Sequence, residues 1–89
     1  MISYKPFWST LEKKKITQYQ LIYHWHISSN TFRRMKHGEP INTTTLNLLC
    51  LILNCRVQDI IRFEATEEEA AAIKQQREEI KNRRTKNKP

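Results

Sequence analysis

The sequence predicts an all-α fold: five short helices in one small domain, followed by a longer, charged tail helix. Three observations point there. A single glycine, Gly38, and three prolines, Pro6, Pro40 and Pro89, leave long stretches free to be helical and mark where they cannot continue. Apolar residues recur three and four positions apart along most of the chain, the spacing of one buried helix face. No alternating polar and apolar run of convincing length suggests a strand, and neither an internal repeat nor a Gly-rich phosphate loop is present.

The first helix follows Pro6, a favourable residue for an opening turn, and carries Phe7, Trp8 and Leu11 toward a core. It is expected to end near Lys14 or Lys15. Thr17 offers a hydroxyl to cap a second helix, in which Leu21, Ile22 and Trp25 supply the apolar stripe. Ser28 caps a third, running to Lys36, whose Phe32 and Met35 face inward while Ser29, Asn30, Arg33, Arg34 and Lys36 populate the outer arc. Gly38 closes it through the left-handed conformation that glycine adopts at helix ends.

Asn42 or Thr43 starts a fourth helix, with Leu46, Leu49, Cys50 and Leu53 on its buried face. A fifth, short helix fits Val57 to Phe63, with Val57, Ile60 and Ile61 pinning the end of the bundle and Asp59 favourably placed near its start. The domain is expected to span residues 1–65. Composition then changes. Thr66 and Glu69 form a capping box, Glu67 to Glu69 complement the positive helix start, and Lys81, Arg83 and Arg84 complement its end. The tail, residues 66–89, has only Ala70 to Ala72, Ile73 and Ile80 as apolar content. It is expected to project into solvent or to pair weakly along the Ile73 and Ile80 seam, with Thr85 to Pro89 frayed.

Eighty-nine residues hold one compact domain and not a cleft between two. Sixteen Lys and Arg against nine Asp and Glu give a formal charge of +7, a positive field suited to nucleic acid, an acidic protein or a lipid surface. The longest apolar stretch, around Leu46 to Leu53, is too short to cross a bilayer, so no membrane role is expected. Cys50 and Cys55 follow no secretory leader, which suggests a reducing cytoplasm and free thiols.

The string TQYQLIYHWHISSNTFRRMKHG, from Thr17 to Gly38, resembles the helix-turn-helix of the lambda-repressor-like family, the group of phage repressors and Cro proteins also called the XRE family. LNCRVQDII is similar to the closing helices of a short bacterial subgroup, so the resemblance covers roughly Tyr4 to Phe63. It implies a five-helix domain that docks its third helix in the major groove of double-stranded DNA, usually as a homodimer on a palindromic operator. By the same resemblance Gln18 holds a backbone phosphate at the start of the second helix. Ser29, Asn30 and Arg34 face base edges, Ser28, Thr31 and Arg33 lie within reach of bases or phosphates, and Lys36 and His37 approach the backbone. Residue chemistry agrees, since Arg pairs bidentately with guanine and Asn with adenine. The chain departs from the family pattern at Ile22, where a small residue is common, at His26, where Gly is commonest, and at Phe32, where a branched aliphatic is usual. His tolerates positive φ better than most residues, and a shift of the two helices accommodates Ile22.

Against these stand blander readings. Arg33, Arg34 and Lys36 on an arbitrary helix would be a solvated face. The three histidines and two cysteines match no closed zinc pattern, so no metal or cofactor is expected. Trp8 and Trp25 sit near apolar helix faces, which favours core packing over base stacking. The scattered acids Glu12, Glu39, Asp59 and Glu64 form no pair, no nucleophile stands beside a base, and an enzyme is not expected. Two functions remain open. One is a bacterial or phage-derived transcriptional regulator, a repressor in the simplest case. The other is a protein-interaction module, an antitoxin or repressor modulator, using the tail helix as its partner site.

Overall fold

The computed structural model describes the backbone of residues 1–87 and the side chains of residues 1–83. Its elements in order are β1 (Ile2–Ser3), α1 (Lys5–Lys14), α2 (Gln18–Tyr23), α3 (Ser29–Lys36), α4 (Thr43–Leu53), a single 3-10 turn (Val57–Asp59), β2 (Arg62–Phe63) and α5 (Glu67–Asn87). The architecture is all-α, as the spacing predicts. α1 to α4 surround a core of Tyr4, Phe7, Leu11, Leu21, Ile27, Phe32, Met35, Leu49, Leu53 and Ile60.

Local chemistry fixes where each helix begins. Pro6 lies in the first turn of α1, where a missing N–H costs nothing. Thr17 and Gln20 form a reciprocal capping box: the Gln20 amide donates to Thr17 Oγ1 at 3.1 Å and the Thr17 amide to Gln20 Oε1 at 2.9 Å. Ser28 Oγ accepts from the Asn30 amide at 3.2 Å, and Asn42 Oδ1 from the Thr45 amide at 2.7 Å.

Three helices end alike. Paired backbone bonds close α1 (Ile16 to Leu11, 3.2 Å; Lys15 to Glu12, 3.2 Å), α3 (Glu39 to Arg34, 2.9 Å; Gly38 to Met35, 3.3 Å) and α4 (Cys55 to Cys50, 3.1 Å; Asn54 to Leu51, 3.3 Å). Each closure needs a left-handed residue, and Lys15, Gly38 and Asn54 supply it with φ of 55°, 69° and 48°. The closure of α4 brings the half-buried Cys50 and Cys55 side by side as free thiols. Burial first, then the neighbouring Cys50, pushes the Cys55 thiol above its ordinary pKa.

The segment after α4 differs from the expected fifth helix. Only Val57–Asp59 turns, with Asp59 Oδ2 accepting from the Arg56 amide at 3.0 Å. Ile60 is fully buried, but Val57 and Phe63 are exposed and pin nothing. Arg62–Phe63 leaves the helical path to pair antiparallel with Ile2–Ser3, with Ile2 opposite Phe63. A two-residue ladder is too short to imprint an alternating pattern on the sequence, which is why pattern reading passes over it. Thr10, buried in α1, ties the turn to the core by donating to the Asp59 carbonyl at 2.6 Å.

Thr66 and Glu69 make the expected capping box at the start of α5, with bonds of 3.2 and 3.1 Å. The backbone N–H of Thr66 is the main cause that holds the Glu69 carboxyl below the usual range, so this cap is fully formed above that range and is lost as pH falls through the lowered value. α5 contributes no residue to the core, and its described side chains are all exposed. A helix of 21 residues spans about 31 Å, which accounts for the elongated 61 × 25 × 22 Å outline. The helix continues through Asn87, beyond the Thr85 at which fraying is expected; Lys88 and Pro89 lie outside the described residues. Among the described residues no helix is long and apolar enough to cross a membrane.

Two stability predictions follow from the core and the corners. Phe32 is fully buried and stacks on Phe7 with centroids 6.0 Å apart; Phe32→Ala is expected to lower unfolding free energy by about 3–5 kcal/mol in urea titration. His26 holds φ of 57° in the α2–α3 turn while its side chain is exposed. His26→Val should destabilise the domain by at least about 1 kcal/mol relative to His26→Gly, and equal midpoints for the two variants would show that the corner is unstrained.

Candidate nucleic-acid interface

α3 is eight residues long and carries no acid. Burial of Phe32 and Met35 fixes its rotation, and the opposite arc is then set by the helix period. Asn30, Arg33, Arg34 and His37 occupy the centre of that arc, exposed to solvent, with Ser29 and Lys36 on its flank. Thr31 is half-buried and Ser28 is the cap. α2 meets α3 through a tight corner: the Ile27 amide donates to the Leu21 carbonyl at 3.0 Å and both side chains are buried. His26 stands at the left-handed position of that corner, and Ile22 is half-buried against the core.

The expected contact residues are not equally available. Arg33 folds back on Asn30, whose Oδ1 accepts from Arg33 Nε at 3.0 Å and Nη2 at 2.7 Å. His37 Nδ1–H donates to the Arg33 carbonyl at 2.7 Å, which fixes the proton on Nδ1 in the neutral ring. Lys36 Nζ lies over the Trp8 ring, 5.7 Å from its centroid. Arg34 has no hydrogen bond or ion pair from its side chain to any described residue. It lines a shallow notch of about 230 Å³ with Ser28, Asn30, Thr31, Asn42 and Thr45. The structure thus gathers Ser28, Asn30, Thr31 and Arg34 at one spot. Gln18, half-buried at the start of α2, and Lys36 and His37, at the far end of α3, stand outside it.

Sequence reading missed two contributions. Asn42 and Thr45 form the second wall of the notch, and the run of hydroxyls after a capping Asn at the start of α4 was the available signal. Tyr19 and Tyr23, one turn apart on α2 and beside Gln18, are exposed and packed ring to ring at 4.4 Å. Trp25 corrects an expectation. α2 ends at Tyr23, so helical spacing no longer carries Trp25 under Leu21; its ring is partly exposed and meets His24 edge-on at 4.6 Å. Trp8 does pack on the core, edge-to-face with Phe7 at 4.8 Å. Among the described residues no group of three or more His, Cys, Asp or Glu is arranged to hold a metal ion.

The arrangement offers an anion-favouring helix start at Ser28, a free guanidinium and a carboxamide in one notch, and further cations at the rim. In the uncomplexed protein, the Nε–H of Arg33 should exchange with water more slowly than that of Arg34 by NMR, and Asn30→Ala should abolish the difference. Equal exchange in the unaltered chain would mean that Arg33 is not held.

Residues 7–66 match the model of the Cro/C1-type helix-turn-helix DNA-binding domain. Among solved structures, the chain is similar to the crystal structure of the transcriptional regulator VanUg, at 30% identity and a TM-score of 0.63, over 68% of this chain and 81% of that one. No curated protein matches it in sequence. With its helical core, its left-handed α2–α3 corner and the family match over residues 7–66, the chain belongs to the Cro/C1-type helix-turn-helix DNA-binding domain family.

Proposed function

We propose that the protein is a sequence-specific transcriptional regulator, a repressor in the simplest form, that reads an operator major groove with α3 and has no catalytic step of its own. The observation that carries the reading is the sorting of α3: Phe32 and Met35 buried, and an acid-free outer arc bearing Asn30, Arg33 and Arg34. Arg34 reads a base edge, guanine by preference, because its guanidinium is uncommitted and Arg pairs bidentately with O6 and N7. Gln18, Ser28, Thr31, Lys36 and His37 hold phosphates and set the register. The resemblance of the chain to VanUg, a transcriptional regulator, supports the regulatory half of the reading.

A homodimer on two half-sites belongs to this proposal. One short helix offers few base contacts, and pairing two modules raises effective concentration without new ones. Exposed Leu48 and Leu51 on α4 and Val57 in the turn after it supply apolar surface. The rival reading, a protein-interaction module in the manner of an antitoxin or repressor modulator, draws on the fully exposed α5.

Selection of bound duplexes from a random pool at near-physiological salt separates the two. A recovered palindrome preferred strongly over a scrambled control establishes sequence-specific binding; recovery of no preferred sequence favours the interaction module. On the selected duplex, Arg34→Ala should cost about 1–3 kcal/mol and relax preference at one base position, whereas Gln18→Ala should weaken all sequences alike. Uniform loss from Arg34→Ala would remove it from base reading.

A further inference from the structure

α5 gathers three of its cations on one face although its hydrophobicity is not sorted. Lys74, Arg77 and Lys81 follow each other at intervals of three and four residues, and Arg84 continues the register. At about 100° per residue Lys74, Arg77 and Lys81 fall within about 60° of the helix circumference, while Arg83, the fourth described cation of α5, lies on the other side. Glu68 and Glu79 lie on the opposite side; Glu67, in the first turn, and Glu78, at the edge of the arc, are the acids nearest to it. All of these side chains through Lys81 are exposed, and neither Lys74 nor Arg77 is ion-paired among the described residues.

The place where α5 leaves the domain fixes where the helix that bears this stripe begins. Ala65 and Thr66 share a recess with Trp8, Met35, Lys36 and Gly38, so the tail helix begins beside the C-terminal end of α3. That end carries His37, in the arc assigned to the groove, and Lys36, on its flank. Lys74 and Lys81 then lie about 10 and 21 Å along the helix from Glu67.

We propose that α5 is a second DNA-contacting element, which lays its Lys74–Arg77–Lys81 face on the phosphate backbone flanking the sequence read by α3. The proposal rests on the DNA-binding reading above and adds a surface to it. A duplex carries one phosphate charge per about 1.7 Å of axis, and cations spaced along one helix face meet that density better than they meet the scattered acids of a protein. The stripe contributes affinity, salt dependence and footprint; base preference stays with α3, because phosphate contacts carry no sequence information.

The test uses the full chain on two duplexes built from the selected sequence, one ending at its borders and one extended by about ten base pairs on each side, roughly the reach of α5 at 3.4 Å per pair. The chain should bind the longer duplex more tightly and with a steeper fall of affinity with salt. K74Q/R77Q should lose most of the length advantage and lower the slope of log K against log salt on the longer duplex by about 1.8 per bound protomer, at about 0.9 per phosphate released. Its preference for the selected over the scrambled sequence should be unchanged. K13Q/K14Q removes the same charge where α1 ends against Asn54, at the far end of α4 from Asn42, and should keep both the length advantage and the steeper slope. Equal affinities and slopes on the two duplexes for the unaltered chain, or for K74Q/R77Q an unaltered slope or a lost sequence preference, would overturn the proposal and leave α5 to a protein partner. If the unaltered chain shows no sequence preference, the same variants on a scrambled duplex decide the stripe: a slope lowered by K74Q/R77Q and not by K13Q/K14Q keeps it while the operator reading fails, and equal slopes overturn both.

Discussion

Burial of Phe32 against Phe7 is the contact on which the DNA-facing surface depends. α3 is too short to be stable alone, since isolated helices shorter than about 12–15 residues are marginal in water. Its existence and its rotation both come from packing. Phe32 and Met35 are buried almost completely, and every polar residue of α3 is placed by where those two point. The pattern's departure at this position, Phe in place of a branched aliphatic, is thereby explained: the larger ring meets a second ring, Phe7, stacked at an interplanar angle of 15°. Ile22 and Ile27 fill the remaining space beside α2, so a bulky residue at 22 is accommodated within the helix pair.

A second constraint is the cost of turning corners with one glycine. Four of the described residues take positive φ, and of these only Gly38 does so freely. Asn54 is the next most tolerant choice, His26 is acceptable, and Lys15 has no special aptitude for the conformation. The strain is offset by the bonds each corner makes: two backbone bonds close α1 and α4, and the Ile27–Leu21 bond closes the α2–α3 turn. The corners that seat the interface helices thus rest on backbone hydrogen bonding more than on residue preference.

Most of α1 to α4 was legible because an opening residue, Pro6, Thr17, Ser28 or Asn42, agreed in each with a stripe at helical spacing, and because Lys15 and Gly38 marked the ends of α1 and α3. The α5 boundary was legible for the same reason, from Thr66 and Glu69. Reading failed where tertiary contacts overrode local pattern. Val57 to Phe63 has helical spacing, but Thr10 captures the Asp59 carbonyl and the first residues of the chain pair with Arg62–Phe63, and neither partner is visible from within the segment. Trp25 was misplaced because α2 stops at Tyr23, two residues short of it. The outer arc of α3 was legible residue by residue, but the pairing of Arg33 with Asn30 and the joining of Asn42 and Thr45 to the notch required coordinates.

That pairing orders the roles of the two arginines. To meet an adenine with both amide atoms, Asn30 must give up two hydrogen bonds from Arg33, so the gain at the base is reduced by the bonds surrendered. Arg33, once released, must find a phosphate or a base to replace Asn30, and the two residues act as one unit whose contribution is set by the pair. Arg34 bears no such cost, because its guanidinium is bound to nothing in the described residues and already stands in the notch. A helix of this length therefore has one residue prepared to read and one pair that must rearrange to do so, and preference should be sharpest at the base pair opposite Arg34 and softer opposite Asn30.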